Sequence, residues 1–278
     1  MSDTWTTRLA KCVRRGLERA GDGAMDYVLT QRIGEKFVGP GQEADWYFET
    51  FGRWICFAAG RDIAPVQFDP ADVASLDLVH AGAVARCAVL AGEIDETLRA
   101  ALAARIFDHS ADDGFSIVPG GELSSYASYV AAGALDDLGE TIDGPAMAAA
   151  IGGLCNEDGG ISHDHSFRIS TTPTTAAGAM LLDRYGAPSE ALDGARRYLL
   201  AQQIDSGAFR PGAFGGEGDL LSTATAVVAL GPMIGEAADT RPFVQSCRGA
   251  NGGFAPVPSG PADLEYTYYA LLVLGAAQ

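Results

Sequence analysis

One recurrence limits what this chain can fold into more than any other feature. Four triplets, Asp113-Gly114-Phe115, Gly159-Gly160-Ile161, Gly207-Ala208-Phe209 and Gly252-Gly253-Phe254, end in hydrophobes spaced 46, 48 and 45 residues apart. Each is followed, 13 or 14 residues later, by a hydroxyl residue opening an apolar stretch: Ser128, Thr175, Thr223 and Thr267. A period near 46 marks one supersecondary unit stacked on the next.

Within a unit the pattern is helix, glycine-rich loop, helix. Leu192–Gln203 reads as an amphipathic helix, Asp205–Gly218 is too rich in glycine for regular structure, and Leu220–Ile234 is apolar almost all round. A helix that is hydrophobic on every face must be buried. The predicted fold is therefore all-α: a closed α/α barrel, or toroid, of about six inner and five to six outer helices. Inner helices are expected near 45–58, 74–91, 122–137, 171–185, 219–234 and 263–276, the first two by looser pattern alone. Outer helices are expected near 24–36, 94–107, 144–154, 189–203 and 240–248. Residues 1–278 read as one domain, with 1–20 as an amphipathic N-terminal helical extension.

Composition removes several function classes. The 278 residues carry 36 acidic and 19 basic side chains, a net charge of −17. Neutralising phosphates requires a basic stripe, and these basic residues are scattered, so no nucleic-acid partner is expected. All but Lys11 and Lys36 are arginine, a ratio that reads as the mark of a GC-rich genome. The longest apolar runs, Ala226–Gly235 and Tyr268–Ala277, fall short of the ~18 residues a membrane span needs. Met1–Ala20 lacks the apolar core of a secretory signal. Cysteines 12, 56, 87, 155 and 247 form no CxxC pair and read as reduced thiols of a cytoplasmic protein.

The stretches Gly253-Phe254…Asp263-Leu264-Glu265-Tyr266-Thr267-Tyr268-Tyr269 and Gly207-Ala208-Phe209-Arg210…Asp219-Leu220-Leu221-Ser222-Thr223-Ala224 resemble the prenyltransferase/squalene-cyclase repeat. That repeat builds the β subunits of protein prenyltransferases and the catalytic barrels of class II terpene cyclases. The resemblance is good over 110–278 and rests on pattern alone over 20–109. It implies an isoprenoid-handling enzyme of bacterial type with a small apolar or isoprenoid substrate. Because prenyltransferase β subunits work with an α partner, it also admits a protein partner.

The resemblance implies that the sites lie just before each hydroxyl, at the mouth of a central cavity. Protein prenyltransferases place three zinc ligands there. Asp219 matches the aspartate, but Leu221 stands for the cysteine and Tyr266 for the histidine, and neither is a zinc donor. Zinc is therefore not expected. Class II cyclases carry DxDD followed by Thr-Ala at this locus, where a carboxylic acid protonates an alkene or epoxide. Asp263-Leu264-Glu265-Tyr266-Thr267 keeps two of the three acids and Asp219 keeps one. Asp263 and Glu265 are thus the candidate acids, with Asp219 near enough to raise their pKa values; Asp219 and Asp263 each also read as plain helix N-caps.

Among the inner-helix aromatics Trp46, Tyr47, Phe51, Trp54, Tyr126, Tyr129, Tyr266, Tyr268 and Tyr269, the expected substrate-binding residues are Tyr266, Tyr126 and Trp46. Arg210 and Arg168 are the candidate diphosphate clamp of a zinc-independent prenyltransferase, with Mg2+ as the accompanying ion if a diphosphate binds. A non-catalytic barrel binding a lipid or a protein is the third reading. Asp136-Asp137-Leu138-Gly139-Glu140 imitates a DDxxE metal motif but reads as a solvated helix end. His163 and His165, with Asp219, are weak metal candidates.

Overall fold

A computed structural model describes residues 4–41, 44–92, 94–186 and 189–276. Twelve α-helices run along the described chain: α1 (Trp5–Ala20), α2 (Asp22–Thr30), α3 (Trp46–Ala58), α4 (Leu78–Ala91), α5 (Glu96–Phe107), α6 (Ser125–Leu138), α7 (Gly144–Gly152), α8 (Thr172–Tyr185), α9 (Ser189–Leu200), α10 (Leu220–Leu230), α11 (Arg241–Ser246) and α12 (Leu264–Ala276). Two small antiparallel hairpins were not expected, β1 (Arg32–Ile33) with β2 (Lys36–Phe37) and β3 (Ser110–Ala111) with β4 (Gly114–Phe115). The first hairpin truncates the outer helix expected at 24–36, which ends at Thr30.

Helices α3, α4, α6, α8, α10 and α12 are the six inner helices, each packed on the next. The last also meets the first: Phe51 of α3 lies 5.3 Å and Trp54 4.7 Å, ring to ring, from Tyr268 of α12. The inner helices start where a side chain can take up their free N–H groups. Asp45, Asp77, Ser124, Thr171 and Asp219 each accept from the backbone N–H two or three residues ahead.

The recurring hydroxyls turn out to be locks. Ser128, Thr175, Thr223 and Thr267 are fully buried, and each accepts the backbone N–H of its own triplet hydrophobe. The donors are Phe115 at 2.9 Å, Ile161 at 2.9 Å, Phe209 at 3.0 Å and Phe254 at 3.1 Å. The same lock exists in the N-terminal third with a different acceptor. The Phe37 N–H donates to Glu49 Oε2 at 2.5 Å, and Glu49 is held by Arg53 Nε at 2.6 Å. A second bond joins consecutive units. The first N–H of α6, α8 and α10 donates to a loop carbonyl of the following unit, on His163, Pro211 and Pro256 respectively.

The triplet's first residue needs left-handed backbone. Its φ is +84° at Gly159 and Gly207, +90° at Gly252, and +61° at Asp113, a residue type that tolerates this region. A Cβ on Gly252 would stand 2.1 Å from the Gly23 carbonyl oxygen.

Helix α1 is more than an extension; it lies across the C-terminal ends of the inner helices. Gly16 and Gly275 let it touch α12 backbone to backbone, since a Cβ on either would be 1.9 Å from a carbonyl oxygen. Its N-terminus corrects the reading of the DDxxE-like string. Asp136 Oδ2 accepts the Trp5 N–H at 2.9 Å, and Asp137 Oδ2 accepts the Thr6 hydroxyl at 2.6 Å. Asp137 is buried, not solvated, because two carboxylates meet the positive end of α1. Arg184 adds an ion pair to Asp136.

Thr223→Val removes a buried acceptor and strands the Phe209 N–H. A loss of about 1–3 kcal/mol is expected in urea unfolding. Thr225→Val serves as the control, because that hydroxyl bonds within its own helix turn, to Leu221 and Ser222 carbonyls, and should change stability far less.

Candidate active site

The locks hold five of the six inner helices in one rotational register, and α4, packed between α3 and α6, shares it. The lock positions are Glu49, Ala81, Ser128, Thr175, Thr223 and Thr267, with Ala81 alone unable to accept. Four residues before each lies the N-cap position; two before, two after and five after face a common cavity of about 340 Å³. Three layers result, because residues at these spacings share one helix face. Tyr47, Val79, Tyr126, Pro173, Leu221 and Glu265 form the layer at the helix N-termini. Phe51, Ala83, Val130, Ala177, Thr225 and Tyr269 lie in the middle, and Trp54, Arg86, Gly133, Met180, Val228 and Leu272 at the far end. Trp5, Thr6 and Leu9 of α1 close the bottom, where the Thr6 carbonyl accepts from Trp54 Nε1 at 3.0 Å.

This register sorts the candidate acids. Glu265 faces the cavity, and its Oε1 accepts the Tyr47 hydroxyl at 2.6 Å across the α3–α12 contact. Burial raises its pKa above the ordinary glutamate value, opposed by hydrogen bonds from Tyr47 and Tyr269. Burial likewise drives the Tyr47 phenol well above its usual range, with the Glu265 charge adding to it. Asp263 and Asp219 do not line the cavity. Asp263 Oδ1 caps α12 on the Tyr266 N–H at 2.8 Å, and Asp219 caps α10 on the Ser222 N–H at 2.7 Å and its hydroxyl at 2.9 Å. Asp263 is pushed up to about 6, by burial first and then by Glu265; Asp219 is not among the causes for either acid.

Of the expected substrate-binding residues, Tyr126 alone faces the cavity. Tyr266 sits one residue before the lock and Trp46 three before it, registers that point away. Trp46 packs on Phe68 and under Lys36 instead. The two arginines form no clamp. Arg168 reaches the Gly153 and Cys155 carbonyls at 2.9 and 2.8 Å, and Arg210 the Gln202 side chain at 3.2 Å and the Ala201 carbonyl at 3.4 Å. Both satisfy carbonyls beyond the ends of outer helices α7 and α9. At α6, α8 and α10 a loop carbonyl takes the first N–H and a side-chain cap takes the third.

His163 Nε2 pairs with Ser124 Oγ at 3.3 Å, and His165 is exposed. Among the described residues no group of three or more His, Cys, Asp or Glu side chains is arranged to hold a metal ion. No described helix is long and apolar enough to cross a membrane.

Two polar groups escaped the sequence reading, Arg86 in the cavity lining and His80 outside it at the helix N-termini. Arg86 enters the far layer from α4, a unit without a triplet or a hydroxyl, so no signal marked it. His80, near the rim, bridges two caps, with Nδ1 2.8 Å from Asp77 and Nε2 3.0 Å from Asp45. Burial lowers its pKa, but the two aspartates outweigh that and raise it.

No protein-family model and no curated protein sequence matches the chain. Solved structures do. Protein geranylgeranyltransferase-I from Candida albicans, complexed with GGPP, superposes with a TM-score of 0.58 at 15% identity, over 70% of this chain and 65% of that one. A variant of the type II terpene cyclase MstE from Scytonema, complexed with geranylgeranyl dihydroxybenzoate (substrate), gives 0.60 at 14% identity, over 95% of this chain and 97% of that one. A protein from Actinoplanes gives 0.58 at 16% identity, over 96% and 99%. At such identities the likeness speaks for fold alone. The chain has the fold of the prenyltransferase/terpene-cyclase α/α-barrel family.

Asparagine caps a helix as well as aspartate does, so Asp263→Asn should keep the cap while removing a buried charge. In the parent the raised pKa means that ionisation costs stability: nothing below about pH 4, the full amount above about pH 6. The stability of Asp263→Asn relative to the parent is expected to improve from pH 4 to pH 7, read as the shift between their urea midpoints.

Proposed function

We propose that this chain is a closed α/α-barrel enzyme that handles isoprenoids, protonating an apolar polyene in its central cavity with Glu265 to start a cyclisation. One observation carries the reading: among the described residues Glu265 is the sole carboxyl that lines the cavity, it is desolvated, and it faces a wall of rings. A carboxyl can donate to an alkene only while protonated, and burial favours that form. Oε1 accepts the Tyr47 hydroxyl and Tyr269 bonds the same carboxyl, so two phenols hold the proposed acid at the cavity wall. The cation then formed would be met by the faces of Phe51, Trp54, Tyr126, Tyr129, Tyr268 and Tyr269, which attract positive charge without supplying a nucleophile. The neighbours in complex with GGPP and with geranylgeranyl dihydroxybenzoate lend support from fold likeness. The proposed step requires no metal ion. Prenyl transfer through Arg168 and Arg210 is disfavoured, because both guanidinium groups are engaged by backbone carbonyls.

Incubation with C15 and C20 polyprenyl substrates, analysed by gas chromatography–mass spectrometry, tests the proposal. Glu265→Gln should lower turnover by about 100-fold or more, the scale of a lost general acid, while Asp263→Asn remains active. Activity should hold at low pH and decline as the pH rises through the raised pKa of Glu265, since the acid form does the work. Binding without product would leave a lipid carrier, and a Glu265→Gln variant as active as the parent would remove the acid.

A further inference from the structure

The far end of the cavity holds polar groups that a purely hydrocarbon ligand would leave unmatched. Arg86 is the sole cationic side chain among the lining residues, and 17% of it is accessible. Its hydrogen bonding is incomplete. Nη2 reaches the Val130 carbonyl at a long 3.5 Å, and Nε stands 3.9 Å from Asp137 Oδ2, an oxygen already taken by Thr6. Next to it, the buried Tyr268 hydroxyl and Asp137 Oδ1 have no hydrogen-bond partner among the described residues. A guanidinium carries five donors, and leaving them unmatched in a water-poor cavity is costly. The site is nonetheless shaped around that group. Gly133, its neighbour in the layer, leaves the space the guanidinium occupies, because a Cβ there would be 2.9 Å from Nη2. The Trp54 ring lies 5.8 Å beneath it.

We infer that Arg86 is a ligand-binding residue that receives a carboxylate at the inner end of an otherwise apolar ligand. A planar guanidinium edge matches a planar carboxylate with two parallel N–H donors, which an alcohol cannot use fully. Burial disfavours the charged form of Asp137, opposed by the Arg86 charge 3.9 Å away. Arg86 lies seven residues along α4 from the Glu265 layer, or about 10 Å at 1.5 Å per residue. A ligand of this design enters carboxylate first and presents its apolar tail to Glu265. The inference rests on the isoprenoid reading for the nature of that tail and is independent of it for the head.

Two ligand series separate the two claims. Farnesoic acid and farnesol make the isoprenoid pair, and dodecanoic acid and dodecan-1-ol the linear pair, with binding followed by tryptophan fluorescence (Trp5 and Trp54 line the cavity) and calorimetry. In each pair the acid should bind at least ten-fold more tightly than the alcohol. Arg86→Met should bring acid affinity down to that of the alcohol and leave the alcohol unchanged. Gly133→Ala, which keeps the ion pair but displaces the guanidinium, should reduce the acid preference and guards against a fold defect in Arg86→Met. Equal binding of acid and alcohol by the parent, or a preference that survives both variants, overturns the carboxylate site. Isoprenoids bound without that preference defeat the site and spare the isoprenoid reading; a preference confined to the linear pair does the reverse; no binding in either series defeats both.

Discussion

In five of the six units the backbone N–H of one hydrophobe, donated to a buried side chain of the next inner helix, sets the geometry of the cavity wall. An isolated glycine-rich loop has many conformations, and an apolar helix has no preferred rotation about its axis. The lock couples them. Burying Phe209 seats the loop, and its N–H then donates to the Thr223 hydroxyl, which fixes the rotation of α10. Five inner helices are fixed in this way and α4 packs between two of them, so the residues at two before, two after and five after the lock position fall on the cavity in all six. Stranding a buried N–H would cost about 1–3 kcal/mol. That explains why the acceptor changes from hydroxyl to carboxylate at Glu49 while the bond itself remains.

The period, the helices and the cap residues were legible because each leaves a local mark: a triplet, a hydroxyl 13 or 14 residues on, an aspartate or serine before an apolar run. The N-terminal third was read loosely for an equally local reason. Its acceptor is a glutamate, twelve residues after Phe37, and α4 has Ala81 where an acceptor would stand. Rotation was what the residues could not reveal. Tyr266 and Glu265 are adjacent in sequence yet point in different directions, and a helix N-terminus looks the same from either side until the lock is known. Long-range partners were invisible too. Asp136 and Asp137 resemble a solvated pair until α1, 131 residues away in sequence, puts its N-terminus against them.

The arginines acquire a role that composition could not supply. Arg14 donates to the Ala58 carbonyl, Arg15 and Arg19 to Gly275 and Leu274, and Arg99 to Leu138. Arg168 and Arg210 do the same beyond α7 and α9. These carbonyls cluster at helix C-termini, where free acceptors and the negative end of the dipole coincide. Arginine suits the task because its planar fork can reach two acceptors at once. A chain of net charge −17 thus uses its few cations inward, as fasteners between helices, and this leaves Arg86 distinctive: its fork is turned toward the lumen with its donors incompletely matched.

The division of labour among the acids follows from position alone. An acid four residues before the lock is held by the backbone N–H groups it caps, and its oxygens are turned away from the cavity. An acid two residues before the lock is carried to the lumen instead. Glu265 is the sole inner-helix acid at that position, and its surroundings oppose one another. Desolvation favours the protonated form, while the Tyr47 and Tyr269 hydroxyls favour the carboxylate. A carboxyl subject to desolvation alone would be a poor proton donor, because its pKa would climb too far. One stabilised by phenols alone would already be ionised near neutrality. For the protonation proposed above, desolvation would favour the acid form of Glu265 and the two phenols would limit that rise.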